Sequence, residues 1–170
     1  SGGVMTKKIS IPGVYWVDPG ELLAGPYPWI GDRDTDQWRI QQLMDAGLRV
    51  FLDLTEAGEA TPYAHVLGDG VRHVRMPIID FDVPPPEKMR EILDVIDQAR
   101  ADALPVYVHC LAGLGRTGTV VGCYLVRHGL SGVGALREIE RLRRDISYGS
   151  RASPITEAQR WMVMNWSEEK

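Results

Sequence analysis

The sequence predicts a single-domain α/β fold: a central, mostly parallel sheet of about four or five strands with helices on both faces. Short apolar runs of strand character alternate with longer helical periodicities through the middle of the chain, the pattern of β-α units. A length of 170 residues suits one domain with a sizeable core. Residues 14–17 and 22–25 read as two short strands, and Pro26, Pro28 and Gly31 then mark a turn. Residues 32–46 read as a helix stopped by Gly47, with Trp38, Leu43 and Met44 as its expected core contacts. Residues 49–54 form a short apolar run of buried-strand type, and a short helix is expected over 59–67. Residues 71–77 alternate as a further strand. The segment 78–86 ends in Pro84, Pro85 and Pro86 and so must be a loop. An amphipathic helix over 87–101 places Met89, Ile92, Leu93, Ile96 and Ala99 on one stripe. A strand at 106–108 leads through a glycine-rich turn, 110–118, into a helix at 119–127 that is apolar all round and therefore central. Two more helices are expected near 132–144 and 155–166.

Composition narrows the function classes. A net charge of −4 argues against non-specific nucleic-acid binding. The longest apolar run, 120–126, is broken by Gly122 and is far too short to cross a bilayer, and the amino terminus lacks a secretory h-region. No nucleic-acid or membrane partner is therefore expected. Cys110 and Cys123 make no disulfide framework, which suits a reducing, cytoplasmic setting. Ser1 to Val4, ahead of Met5, read as an expression scar, leaving 5–170 as one domain, expected to be a monomer.

The chemistry concentrates in His109-Cys110-Leu111-Ala112-Gly113-Leu114-Gly115-Arg116-Thr117-Gly118. A strand, a tight glycine turn and a helix start aim successive backbone N–H groups at one point, where the helix N-terminus adds positive potential. That is an anion cradle. Its field favours a thiolate at Cys110, a standing nucleophile at neutral pH. Arg116 offers a planar fork that grips two phosphate oxygens at once, and Thr117 puts a hydroxyl beside the sulfur.

His-Cys, five residues, then Arg-Thr resembles the signature loop of the protein tyrosine phosphatase superfamily. The resemblance implies phosphate-monoester hydrolysis through a phosphocysteine intermediate. It makes Cys110 the nucleophile, Arg116 the clamp and Thr117 the hydroxyl serving the thiolate, with residues 111–116 binding the phosphate. His109 would tune the thiolate indirectly, or else is simply a satisfied buried histidine. The segment Pro77-Ile78-Ile79-Asp80-Phe81-Asp82-Val83-Pro84 resembles the general-acid loop of the compact dual-specificity branch that includes kinase-associated phosphatase. Asp80 is the expected proton donor and Asp82 the alternative.

Gln159 resembles a glutamine that some relatives place near the attacking water, against the plainer reading of an exposed helix residue. Glu56 follows a strand's carboxyl end, where α/β sites gather, and either orients Arg116 or is a surface acid. Tyr27 is expected to pack. Cys123 reads as an inert core thiol, and Arg141, Arg143 and Arg144 as a solvated basic face that could meet acidic substrates.

Rival readings fare worse. Gly113, Gly115 and Gly118 spell a dinucleotide-binding fingerprint, but no later strand supplies a ribose-binding acid. Arg116 stands where a Walker A loop needs lysine. His65, His73, His109 and His128 pair with the cysteines at no zinc-ligand spacing, so no metal or cofactor is expected. A rhodanese-like sulfurtransferase shares the cysteine loop but not the Arg-Thr-Gly ending or the Asp80 loop. A silent phosphate-binding module typically lacks the cysteine, the arginine or the acid. Lysines, frequent in the loops of phosphoinositide-directed members, are missing at 111, 112 and 114, which favours phosphoproteins as substrates: phosphotyrosine, with phosphoserine and phosphothreonine left open.

Overall fold

The computed structural model describes residues 8–168. The expected scar at 1–4 lies outside that range. One five-stranded sheet runs β1-β2-β5-β3-β4, built from β1 (Tyr15–Asp18), β2 (Leu22–Gly25), β3 (Val50–Asp53), β4 (Arg72–Arg75) and β5 (Val106–His109). Only β1–β2 is antiparallel; every other pairing is parallel. Central β5 and β3 are buried along their whole length, as parallel strands covered on both faces must be. Alternation then divides their side chains between two cores. Leu23, Phe51 and Tyr107 face α1 (Arg33–Asp45), while Ala24, Leu52 and Val108 face α2 (Pro86–Ala101), α3 (Gly115–Arg127), α4 (Gly132–Arg143) and α5 (Glu157–Met164).

The expected stripe of α2 is buried as read, from Met89 to Ala99, and the helix begins at Pro86, a residue well suited to the first helical position. α3 begins at Gly115 rather than 119, so Arg116 and Thr117 belong to its first turn. Close packing on α5 explains Gly122 within α3: a Cβ there would lie 2.5 Å from a Val163 methyl.

Several expectations are corrected. Trp38 is 48% exposed, and the buried face of α1 is Asp36, Ile40 and Leu43. At 100° per residue, Trp38 lies two positions from both Asp36 and Ile40 and so points the opposite way. The helix expected over 59–67 shrinks to a 3₁₀ turn, Ala64–Val66, because Pro62 biases the residue before it away from helix. Arg143 is buried, not solvated. Its guanidinium donates to Tyr148 O at 3.0 Å and lies 5.4 Å from the Tyr15 ring centroid. Among the described residues no helix is long and apolar enough to cross a membrane.

Candidate active site

The register aligns Gly25, Asp53 and Arg75 with His109 across the sheet, so β2, β3, β4 and β5 all end at one edge. The loop after β5 therefore opens at the middle of the carboxyl edge, flanked by the segments leaving β2 and β3. Three of its carbonyls are tied to the scaffold. Leu111 O accepts from Tyr27 N–H at 3.0 Å, Leu114 O from the Ser153 hydroxyl at 2.7 Å, and Cys110 O from His109 Nδ1 at 3.1 Å. Gly113 has φ +76°, and a Cβ there would sit 2.5 Å from Gly25 C and 2.7 Å from Pro26 N. Only glycine lets the loop press on the backbone beneath it. With these carbonyls turned away, the geometry suits N–H donors directed at an anion.

Cys110 is 3% exposed and Arg116 1%. Arg116 Nη1 donates to Glu59 Oε2 at 2.9 Å and Ile78 O at 3.0 Å, and Nη2 to Glu59 Oε1 at 2.5 Å. Nη2 also lies 3.3 Å from Asp80 Oδ1. The acid that holds the guanidinium is thus Glu59, whereas Glu56 is exposed; its backbone N–H donates to Glu59 Oε2 at 2.9 Å. The Arg116 hydrogen bond, ahead of a counteracting burial effect, holds the Glu59 carboxyl below its ordinary range. Arg116 Nε and Thr117 Oγ1 are buried with no protein partner, two donors available to a ligand.

Asp80 is half-exposed beside Arg116. Asp82 caps its own turn, accepting from Val83 N–H at 2.8 Å. Phe81 between them adopts φ +63°, and of the two only Asp80 has an ion-pair contact with Arg116 among the described residues. Gln159 is fully buried rather than exposed. Its Oε1 accepts from Ile155 and Thr156 N–H at 3.1 Å, its Nε2 donates to Asp82 O at 3.3 Å, and it abuts Gly115. It links α5, the acid loop and the first turn of α3.

Beneath the loop lies a buried polar network. A carbonyl only accepts, so His109 Nδ1 carries its proton, and Nε2 accepts from the Tyr63 hydroxyl at 2.5 Å. Burial pulls His109 down to about 4, keeping it neutral, although the Asp53 carboxylate 3.9 Å away works the other way. Asp53 is brought down to about 2. Burial opposes this and is outweighed by His73 at 2.9 Å, the His109 field and both Thr55 donors. Tyr27 packs edge-on against Tyr63 and His109, as expected. Burial pushes Cys123 well above the ordinary thiol range, an inert core residue. Among the described residues no cluster of three or more His, Cys, Asp or Glu is placed to hold a metal ion.

Sequence reasoning missed Glu59, Tyr63, Asp53 and Ser153. Glu59 shares with Glu56 the one legible signal, a position just past the end of β3; the intervening turn at Gly58, φ +85°, decides between them.

Comparisons with known proteins bear on family and fold. A family model described as a polymorphic toxin system DSP-PTPase phosphatase matches residues 28–130. The dual-specificity phosphatase CDC14A of Homo sapiens is 36% identical over 124 residues, covering 66% of this chain and 19% of that protein. The curated phosphatases it matches are far longer, and the chain spans a fifth or less of their length. Among solved structures, a mutant form of Tk-PTP aligns with TM-score 0.70 and 27% identity, covering 89% of this chain and 91% of that one. Kinase associated phosphatase, at 18% identity and TM-score 0.70 over 92% and 94%, shares the fold. With more than half of its residues matched by that model, including the whole cysteine loop and the Asp80 loop, the chain belongs to the DSP-PTPase phosphatase family.

Proposed function

We propose that this chain is a cysteine-dependent protein phosphatase acting on phosphotyrosine, phosphoserine or phosphothreonine in phosphoproteins. The observation that carries the reading is the convergence on Arg116 of an acid from a separate loop, Asp80 at 3.3 Å, directly beside the cysteine cradle. In this mechanism Cys110 Sγ attacks phosphorus as the leaving oxygen departs with a proton from Asp80, giving a phosphocysteine. Water, deprotonated by Asp80, then attacks phosphorus, and Thr117 eases departure of the thiolate. Arg116 Nε and the N–H groups of residues 111–116 hold the equatorial oxygens, where charge gathers in the transition state. Thiolate, guanidinium and carboxylic acid supply nucleophile, charge stabilisation and proton, so the reading invokes no metal. Glu59 fixes the fork of Arg116. His109 positions the loop through Cys110 O, and Gln159 ties the acid loop to α3. The two free cysteines favour a reducing compartment such as the cytoplasm, where the chain would work as a monomer.

Cys110→Ser tests the reading. It should bind a phosphopeptide yet release no phosphate, because cradle and clamp remain while the nucleophile is lost. Turnover above a trace would remove Cys110 from the role.

A further inference from the structure

A recess of about 720 Å³ lies between the acid loop and α5. Val83 and Pro84, which follow Asp82, line it from the loop, and Trp161, Met162 and Trp166 line it from the helix and the segment after it. Two local features build it. Pro84 and Pro85 keep the end of the loop extended until Pro86 starts α2. On α5, Glu157, Ala158, Trp161 and Asn165 recur at three- and four-residue spacing and share a face, where the small Ala158 leaves room beside the indole.

The chemistry of the walls is specific. Trp161 is 66% exposed, a large apolar area left in water. Ile155, just ahead of α5, and Ile79 and Phe81, on either side of Asp80, are exposed as well. Gln159 joins the two elements that carry these side chains, accepting from Ile155 N–H and donating to Asp82 O. Glu157 is the one charged residue in the walls of the recess, and its carboxylate has no partner among the described residues. A lone carboxylate with no cation beside it repels a phosphate or a second acid. The volume falls within the range of about 300–1,000 Å³ usual for pockets that enclose apolar groups.

We propose that this recess docks a large apolar side chain, aromatic or leucine-like, of the same phosphoprotein whose phosphate lies over Cys110, from a position near the phosphorylated residue. The proposal rests on the phosphatase reading and adds a selective anchor to it. Continuity makes the substrate the occupant: the loop that carries the proton donor is also a wall of the recess, so a chain laid across Asp80 passes its mouth. An anionic membrane surface meets the wrong charge here, and a flat bilayer does not enter a recess.

The test uses a tyrosine-phosphorylated peptide otherwise made of glycine and serine, with tryptophan placed at each position in turn on either side of the phosphotyrosine, and aspartate placed likewise. Burying a large apolar side chain changes affinity by about tenfold or more, so in one register tryptophan should lower KM by about that factor. The anchor binds ground state and transition state alike, so kcat should not change. Aspartate in that register should give no gain, and the tryptophan advantage should persist at high salt. Trp161→Ala should bring the KM ratio towards one. Ala158→Glu, which sets a charge in the recess without removing a packed side chain, should do the same. Met164→Ala, an apolar loss on the same helix outside the recess, should preserve the ratio. Turnover of a small aryl phosphate, which reaches no further than the cradle, should be unchanged in all three and reports that each has folded. The proposal is overturned if no register shows a gain, if the gain survives both recess variants, or if it vanishes at high salt. A dimer in sedimentation that Trp161→Ala dissociates also overturns it, by making a second copy the occupant. Absence of any aryl phosphate turnover by the wild type would instead refute the phosphatase reading; anisotropy binding of the same peptides would still read the recess.

Discussion

Replacing Glu59 by glutamine asks how much of the clamp depends on its support. Glu59 accepts two guanidinium bonds, at 2.9 and 2.5 Å, and its side chain is only 19% exposed. Charge-assisted hydrogen bonds contribute about 1.5–3 kcal/mol each. Glutamine keeps the shape and one acceptor, so one bond is lost and the other loses its charge. Discounting for partial exposure leaves a loss of about 2–3 kcal/mol. If it is expressed in the positioning of Arg116, kcat/KM on a phosphotyrosine peptide should fall about 30- to 150-fold. Glu56→Gln should stay within about twofold, since that side chain is exposed and supports Glu59 only through its backbone. Steady-state kinetics on both variants, with thermal melting as a folding control, decide the matter. A Glu59→Gln enzyme within about threefold of wild type, or an equal defect in Glu56→Gln, refutes the reasoning.

Asp80→Ala should slow phosphotyrosine hydrolysis by about 10²–10⁴-fold and an activated aryl phosphate far less, because a good leaving group needs little proton transfer. Asp82→Ala should change rates only slightly, and the reverse pattern would move the acid role to Asp82. Gly113→Ala should cost more than about 2 kcal/mol in urea unfolding and weaken competitive inhibition by inorganic phosphate, since residue 113 has positive φ and its Cβ would overlap the Gly25 backbone. Unchanged phosphate inhibition would show that the loop tolerates the clash. His109 is depressed from 6.5 to about 4, so the unfolded chain binds the extra proton between those values. Its cost to stability is therefore absent above about pH 6.5 and grows as pH falls towards 4, reaching about 3 kcal/mol at most. In His109→Gln that part of the pH slope should vanish, and an identical slope in urea titrations at about pH 7 and 4.5 would refute the assignment.

Much of this was legible in the sequence, for specific reasons. The strands β3 and β5 and helix α2 announce themselves because burial on both faces, or on one stripe, leaves a local apolar pattern. The cysteine loop is a contiguous motif, so its residues arrive in register. Gln159 stood out by resemblance, but its burial was illegible because it depends on α5 docking against α3, a contact between distant segments. Trp38 misled because a bulky apolar residue need not lie on the packed face, and Arg143 misled in the opposite sense, a charge buried under Tyr15. Glu59 and Glu56 differ only by a turn that no spacing rule specifies.

The anchoring of the cysteine loop bears on how little of the chain could work alone. Every group to which the proposed mechanism gives a reacting role lies between residues 28 and 130, the stretch the family shares. Yet Leu111 O is held by Tyr27 and Leu114 O by Ser153, while Gln159 closes over Gly115 and Val163 over Gly122, and all of these partners lie beyond those limits. A fragment trimmed to the shared stretch would carry the complete set of reagents without the mould that shapes them. The residues after 130 are in this sense part of the mould of the proposed site, although the proposed mechanism brings none of them to phosphorus.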